Sequence, residues 1–315
     1  MNGKPLVTFA LFAYNQEKYI RNAVQGAFAQ TYSPLEIILS DDCSTDRTFK
    51  IMQKMADEYN GPHKIILNRN DKNLNIGGHV NKIGKLVTGE IVVMAAGDDI
   101  SVPERTDKVV SFFQDCPEAF AVFSNISCID NDGQLAKNQI LLPRKIKKIS
   151  MSRMIRNGGG VGPGAAYAYR AKCFFYPWEF PEFYNIEDRL LPLRASLLGD
   201  VFYFPAILVR YRLNLNDTTF VNSYTKLFAK YNSMYMEEIS KTLKYAVVHN
   251  NLSRLKGFLY SKLVLWNPRI HKRIFVLKNK GGLLNRLQSL ILSGIINFDA
   301  IPTWLMSKIN KNNIQ

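Results

Sequence analysis

The sequence predicts an α/β fold: a mixed, mostly parallel sheet flanked by helices, followed by a mainly helical C-terminal extension. Three observations carry this reading. Apolar runs that suit strands alternate with amphipathic stretches between residues 6 and 96. Those runs are almost unbroken by polar residues, as in strands buried on both faces. Hydrophobic residues make up 47% of the 315, enough for a sizeable core.

The elements follow in order. "LVTFALFA" (Leu6 to Ala13) is the first strand, bounded by Pro5 and Asn15. Asn15 is placed to cap a helix running to about Ala29, with Ile20, Val24 and Ala27 on one face. "LEIILS" is the second strand and runs into "DDCSTD", where Ser44 is placed to cap a helix aligning Ile51, Met55 and Tyr59. "KIILN" is the third strand. "NIGGHVNKIGKLVTG" reads as a helix whose end suits Gly89, and "EIVVMAA" is the fourth strand. Ser101-Val102-Pro103-Glu104 has the form of a capping box. "AFAVFSN" and "SCID" are strands leading to a turn at "NDG". A helix around Ser150–Arg156, a glycine-rich "NGGGVGPG" and a strand "AAYAYR" come next. After an aromatic stretch, a helix opens at "IEDRLLPLRASLLG", and two short strands, "VFYF" and "AILVRYR", close this part. From about Asp217 the pattern is helical and rich in lysine.

Composition narrows the class. The opening Lys-then-apolar run resembles a signal peptide, but no small-x-small site follows, so it is read as a strand. No run of ~18 apolar residues predicts a membrane span. Four scattered cysteines without a C-x-x-C pair suggest reduced thiols in a cytoplasmic protein. The four histidines are equally scattered, and none is assigned to a metal. The net charge is +15, and from Val221 onward 15 Lys/Arg face three acids, so the front is nearly balanced and the tail strongly basic. That tail suits an anionic partner. One reading is peripheral contact with the inner face of a membrane through stripes such as Leu284, Leu287, Ile291 and Ile295. Another is a helical unit packed on the core or on a second subunit. Nucleic acid is not expected, because no recognised motif accompanies the charge.

The polar strand ends are the functional clue, since open sheets of this kind bind ligands beyond the carboxyl ends of their strands. Those ends carry Tyr14-Asn15, Asp41-Asp42 and Asp98-Asp99. Adjacent carboxylates in a partly dry cleft take up a proton or share a cation. Mg²⁺ or Mn²⁺ with substrate phosphates suits such a pair. A phenol ring beside carboxylate acceptors suits a nucleobase. Each feature also has a plainer explanation, as acids favour helix starts anyway.

The ordered set Tyr-Asn, "QTY", "SDDCSTD", "NIGG", "TGE" and "GDD" resembles the inverting family 2 glycosyltransferases of the GT-A fold, over about residues 4–215. The resemblance implies a catalytic domain over 1–216, with a nucleotide-binding half (1–100) and an acceptor-binding half (101–216), before the basic region 217–315. It implies that Tyr14 stacks on the base, beside Asn15, that Asp41 holds a base N–H, and that Asp42 lies near the ribose. Arg69 would meet the base or diphosphate, while Asn75, Gly77 and Asn81 shape the nucleotide pocket. Asp98 would sit near ribose and metal, Asp99 would ligate Mn²⁺ or Mg²⁺, and Ala96 stands where a further Asp is frequent. Glu187-Asp188 matches the family's acceptor-side pair, with Asp188 as general base and Glu187 orienting or substituting for it. Arg210 or Arg212 would reach diphosphate oxygens, and Asn214 replaces a usual His. The implied activity is transfer of a sugar from a UDP- or dTDP-sugar to a hydroxyl of a glycan or lipid-linked acceptor in surface polysaccharide synthesis. A nucleotidyltransferase and a non-catalytic sugar-nucleotide or membrane-binding scaffold are the alternatives.

Overall fold

The computed structural model describes residues 3–136, 144–156, 161–175, 179–181, 187–213 and 237–249. Asn214, part of the aromatic stretch, half of the glycine-rich stretch and most of the basic region lie outside the described residues.

Strands β1 (Val7–Ala13), β2 (Leu35–Asp41), β3 (Lys64–Arg69) and β4 (Ile91–Ala96) pair in parallel, in the order β3-β2-β1-β4. Five more strands complete one mixed sheet: β5 (Ile100–Ser101), β6 (Ala119–Ile129), β7 (Lys147–Ile149), β8 (Tyr167–Arg170) and β9 (Asp200–Arg212). β8 lies antiparallel between β4 and β6, and β6 runs parallel to β9, which also takes β5 and β7 antiparallel. The parallel pairings β3-β2-β1-β4 and β6-β9 are long and the antiparallel ones short, so the sheet is mixed and mostly parallel, as expected. Among the described residues the helices are α1 (Ile20–Phe28), α2 (Thr48–Asp57), α3 (Asn75–Gly84), α4 (Arg105–Asp115), α5 (Met151–Arg156) and α6 (Glu187–Leu198), with a further helix over 237–248.

The unbroken apolar strands have a direct cause. Ala10, Phe12, Ile38, Val92 and Met94 point into a core with α3 and α6. Their alternates Phe9, Leu11, Ile37, Leu39 and Val93 point into a second core with α1, α2 and α4. Each large side chain fully buried this way contributes about 1.5–3 kcal/mol. Helix 237–248 adds Ile239, Leu243 and Ala246 to the first core, and Glu238 meets buried Arg194 of α6 at 3.1 Å.

Tertiary partners overrule several local signals. Asn15 does not cap α1: it lies well ahead of the helix in the left-handed region (φ 52°), and Tyr19 precedes the first turn without a side-chain cap. Ser44 does not cap α2; Asp46 does that work, accepting the Thr48 N–H at 2.9 Å. No capping box forms at α4, because pairing with β9 draws Ser101 into the sheet. Gly89 does not end α3 but lies against β1, where an added Cβ would sit 2.6 Å from the Thr8 nitrogen. The paired short strands merge into β6 and β9, since a register shift absorbs Pro205 and Ala206 between Phe204 and Ile207.

Candidate active site

The first three strand ends form one edge. Tyr14 follows β1 and is 44% exposed, a free ring at the rim. Asp41 is fully buried. It accepts the Ser44 N–H at 2.9 Å and the Ser44 hydroxyl at 2.5 Å, and Arg69 lies 3.6 Å away. The Arg69 guanidinium also lies 5.0 Å over the Phe49 ring and donates to the Ser44 carbonyl. Asp42 accepts from the Asn70 amide at 2.7 Å and the Leu74 N–H at 2.9 Å. Burial raises its pKa despite those bonds. Asp42 thereby fixes the loop that delivers Asn75, whose positive φ (57°) an asparagine tolerates. Gly77 is buried within α3. Asn81 spends its amide on Phe180, donating to its carbonyl and accepting its N–H at 2.8 Å each, and so holds the aromatic segment against α3.

The loops after β1 and β2 are laced together. Thr45 N–H donates to the Asn15 side chain at 2.9 Å, and Asn15 N–H donates to Ser44 Oγ at 2.9 Å. Glu17 N–H donates to Asp46 at 3.1 Å, Arg47 N–H donates to Glu17 at 3.0 Å, and Gln16 N–H donates to Thr48 Oγ1 at 2.7 Å.

After β4 the chain turns through Gly97, where an added Cβ would lie 2.4 Å from Gln16 Oε1 and 3.1 Å from the Ala13 Cβ, so a side chain there would displace the Gln16 amide. Asp98 is half-buried, bonded to the Gln16 side chain, and its pKa is raised chiefly by burial. Asp99 turns inward, 5% exposed, and its Oδ1 accepts the Arg212 N–H at 2.8 Å. Burial, and then the Asp98 charge, push Asp99 up to about 8. Two desolvated carboxylates, with Asp98 the more open, suit a hard cation. No cluster of three His, Cys, Asp or Glu forms among the described residues, so substrate phosphate oxygens and water would complete the shell.

Arg212 is positioned differently from the sequence expectation. Its Nε donates to the Asp98 carbonyl at 2.9 Å, its Nη1 donates to the Asp130 carbonyl, and the guanidinium lies 4.3 Å over the Tyr19 ring. It is 7% exposed and staples the aspartate turn to β9 and α1 rather than reaching outward. The length of β9, which carries Arg212 alongside that turn, is the reason.

Glu187 and Asp188 open α6, where backbone amides bond their carboxylates. Burial and then the Asp188 charge push Glu187 up to about 8, and burial raises Asp188 against the opposing pull of Arg189. Beneath them lie the stacked, buried rings of Tyr167 and Tyr169, with centroids 5.3 Å apart. Gly164, in a 3-10 turn over Gly164–Ala166, presses on the pair: an added Cβ would sit 2.6 Å from Glu187 Oε1. Sequence reasoning singled out the stretch that ends at Gly164 but missed Gln16 and Arg105. Gly164 carried a signal as the last glycine of "GGGVGPG", whereas Gln16 and Arg105 looked like ordinary residues at helix starts.

The family model described as "Glycosyl transferase family 2" matches residues 8–174, more than half of the chain. The chain belongs to glycosyl transferase family 2. A Haemophilus influenzae protein named as an uncharacterized glycosyltransferase is 27% identical over 283 residues, 83% of each chain. EpsE of Bacillus subtilis is 33% identical over 114 residues, 36% of this chain and 40% of that one. Chondroitin synthase of Escherichia coli is 30% identical over 151 residues, 48% of this chain and 21% of that one. The chain thus spans well under half the length of two of these relatives. Among solved structures, S. aureus TarS 1-349 in complex with UDP-GlcNAc superposes with a TM-score of 0.62 at 17% identity, covering 90% of this chain and 79% of that one. The mannosyltransferase PcManGT from Pyrobaculum calidifontis, with GDP-Man and Mn²⁺, gives 0.57 at 15% identity, covering 96% and 84%. These likenesses show the GT-A fold, and family membership makes the chain a glycosyltransferase. Glu187–Arg212 lies beyond the matched residues, so its part in the site rests on geometry.

Proposed function

We propose that this glycosyltransferase moves a sugar from a nucleoside diphosphate donor to an acceptor hydroxyl with inversion. One observation carries the reading: two desolvated acidic pairs, Asp98-Asp99 after β4 and Glu187-Asp188 on α6, share one framework of β4, β8 and the Gly164–Ala166 turn. In inversion the acceptor oxygen bonds to the anomeric carbon as the bond to the diphosphate oxygen breaks. The hydroxyl proton passes to Asp188, which burial raises above the ordinary carboxylate range and so makes a stronger base. Glu187 holds the pair's proton and orients it. Tyr14 offers its ring to the base, and Asp41, Asp42 and the Asn75 loop shape the nucleoside pocket. Asp98, and Asp99 through the oxygen not taken by Arg212, would hold Mn²⁺ or Mg²⁺. The cation would supply charge stabilisation for the leaving diphosphate.

The relatives support a nucleotide-sugar donor without choosing the base, since TarS was solved with UDP-GlcNAc and PcManGT with GDP-Man. A uridine or thymidine donor and a growing surface glycan or lipid-linked acceptor remain our assignment. Among the described residues no helix is long and apolar enough to cross a membrane. Helix 237–248 spends its apolar face on the core, which supports packing for that stretch. For the rest of the basic region we propose peripheral contact with anionic lipid.

Calorimetric titration with UDP, dTDP and GDP, with and without Mn²⁺, tests this. One nucleotide should bind more tightly with Mn²⁺, and Asp98→Asn should remove that gain. Binding indifferent to both Mn²⁺ and Asp98→Asn would end the metal assignment. No binding by a folded sample would end the donor assignment.

A further inference from the structure

Arg105, the first residue of α4, is an arginine with almost no water: it is 1% exposed. Burying a guanidinium is costly unless its geometry is well used. Its Nη1 donates to Ser101 Oγ at 2.9 Å. Its Nη2 donates to the carbonyls of Ala165 at 2.8 Å and Tyr167 at 3.3 Å. Its guanidinium lies 6.0 Å over the Phe9 ring, and its charge acts on Asp99. One side chain therefore touches β5, the Gly164–Ala166 turn and the start of β8 while facing the aspartate turn. The far side of the Gly164–Ala166 turn presses on Glu187 and Asp188.

We infer that Arg105 is a positioning residue that couples the two halves of the site, holding the Gly164–Ala166 turn, and through it Glu187-Asp188, in register with Asp98-Asp99. The inference rests on the donor reading above. Arg105 touches no reacting atom. A planar fork can hold Ser101 and two carbonyls at once, whereas a lysine has one ammonium head and cannot span them. Donor binding at the aspartate turn is then transmitted to the acceptor-side carboxylates.

The test is hydrogen exchange on the full chain with UDP and Mn²⁺, or with dTDP or GDP if the titration selects it. In the wild type, nucleotide slows exchange at the strand-end loops around residues 14–16 and 97–101, and also at 164–167 and 187–190. In Arg105→Lys the strand-end slowing stays and the second slowing is lost. With a transferring donor–acceptor pair, kcat falls by about a hundredfold, the scale of an ångström-sized misplacement, while donor KM is kept. A purely structural role would lower the melting temperature without this split. Slowing confined to the strand ends in the wild type overturns the coupling alone and needs no variant to fold. Slowing of both halves that persists in Arg105→Lys also overturns it. No slowing anywhere removes the donor reading and the coupling with it.

Discussion

Replacing Gly164 by alanine separates the fit of Glu187 and Asp188 from the stability of the fold. The new Cβ would lie 2.6 Å from Glu187 Oε1 and 3.4 Å from the Asp188 Cβ, which is already an ordinary contact. Moving Oε1 out from 2.6 Å to the ordinary 3.4 Å is a retreat of about 0.8 Å. The atom met is the far end of a side chain, so the backbone has no need to shift. Alanine also narrows the unfolded ensemble, worth about 0.4–1 kcal/mol. Net stability should therefore stay within about 1 kcal/mol of the wild type. A displacement near an ångström at a reacting centre costs up to about a hundredfold in rate, so a ten- to hundredfold loss of kcat is expected. The assay is release of nucleoside diphosphate at saturating donor, with thermal melting measured in parallel. Unchanged kcat with unchanged melting would show that Glu187 lies outside the chemistry. A collapse in melting would show that the added methyl meets rigid structure instead.

Four further outcomes are expected. Asp188→Asn should lower transfer by about 10²–10⁴-fold, and Glu187→Gln by less, with nucleotide affinity retained in both. Because burial raises Asp188, its base form fills only above the ordinary carboxylate range, and Glu187, pushed up to about 8, gives up the pair's proton at higher pH, so the rate should rise with pH and then fall beyond about 8. A flat pH–rate profile would contradict the coupled pair. For stability the sign runs the other way: the folded state holds the Glu187 proton more tightly, so stability present at acid pH is lost as pH rises towards about 8. Glu187→Gln should accordingly raise the melting temperature above neutrality and leave it unchanged in acid. At the opposite end of the sheet, buried Glu36 accepts from the Thr8 hydroxyl, the Thr88 N–H and the Thr88 hydroxyl. Burial pushes its pKa up, but these bonds and Lys64 outweigh it and leave the carboxyl below its ordinary range. Its contribution is thus present above the ordinary carboxylate range and lost as pH falls through the lowered value. Glu36→Ala should cost about 3 kcal/mol in urea denaturation at neutral pH, and less in acid.

The parallel half of the sheet was legible because β1, β2 and β4 divide their side chains between two cores, which leaves no polar alternation to confuse them. The strand-end acids stood out because three polar strand ends fall on one edge of one sheet, and the family resemblance gave them their expected roles. Helix starts were not. Asn15 and Ser101 have good capping chemistry, but Thr45 and Arg105 make closer use of it across the fold. The side chain of Arg212 was expected at the diphosphate from the family resemblance, and only the path of β9 shows it turned in. Arg105 was invisible because nothing in "VPERT" tells that the arginine is buried.

The lacing between the loops after β1 and β2 has an engineering consequence. Asn15, Gln16 and Glu17 on one loop and Ser44, Thr45, Asp46, Arg47 and Thr48 on the other satisfy each other's donors and acceptors. A graft that exchanged either loop alone would arrive with its polar groups unmatched. A substitution on either loop is therefore expected to need a matching change on the other, so the two loops are best exchanged together as a single cassette.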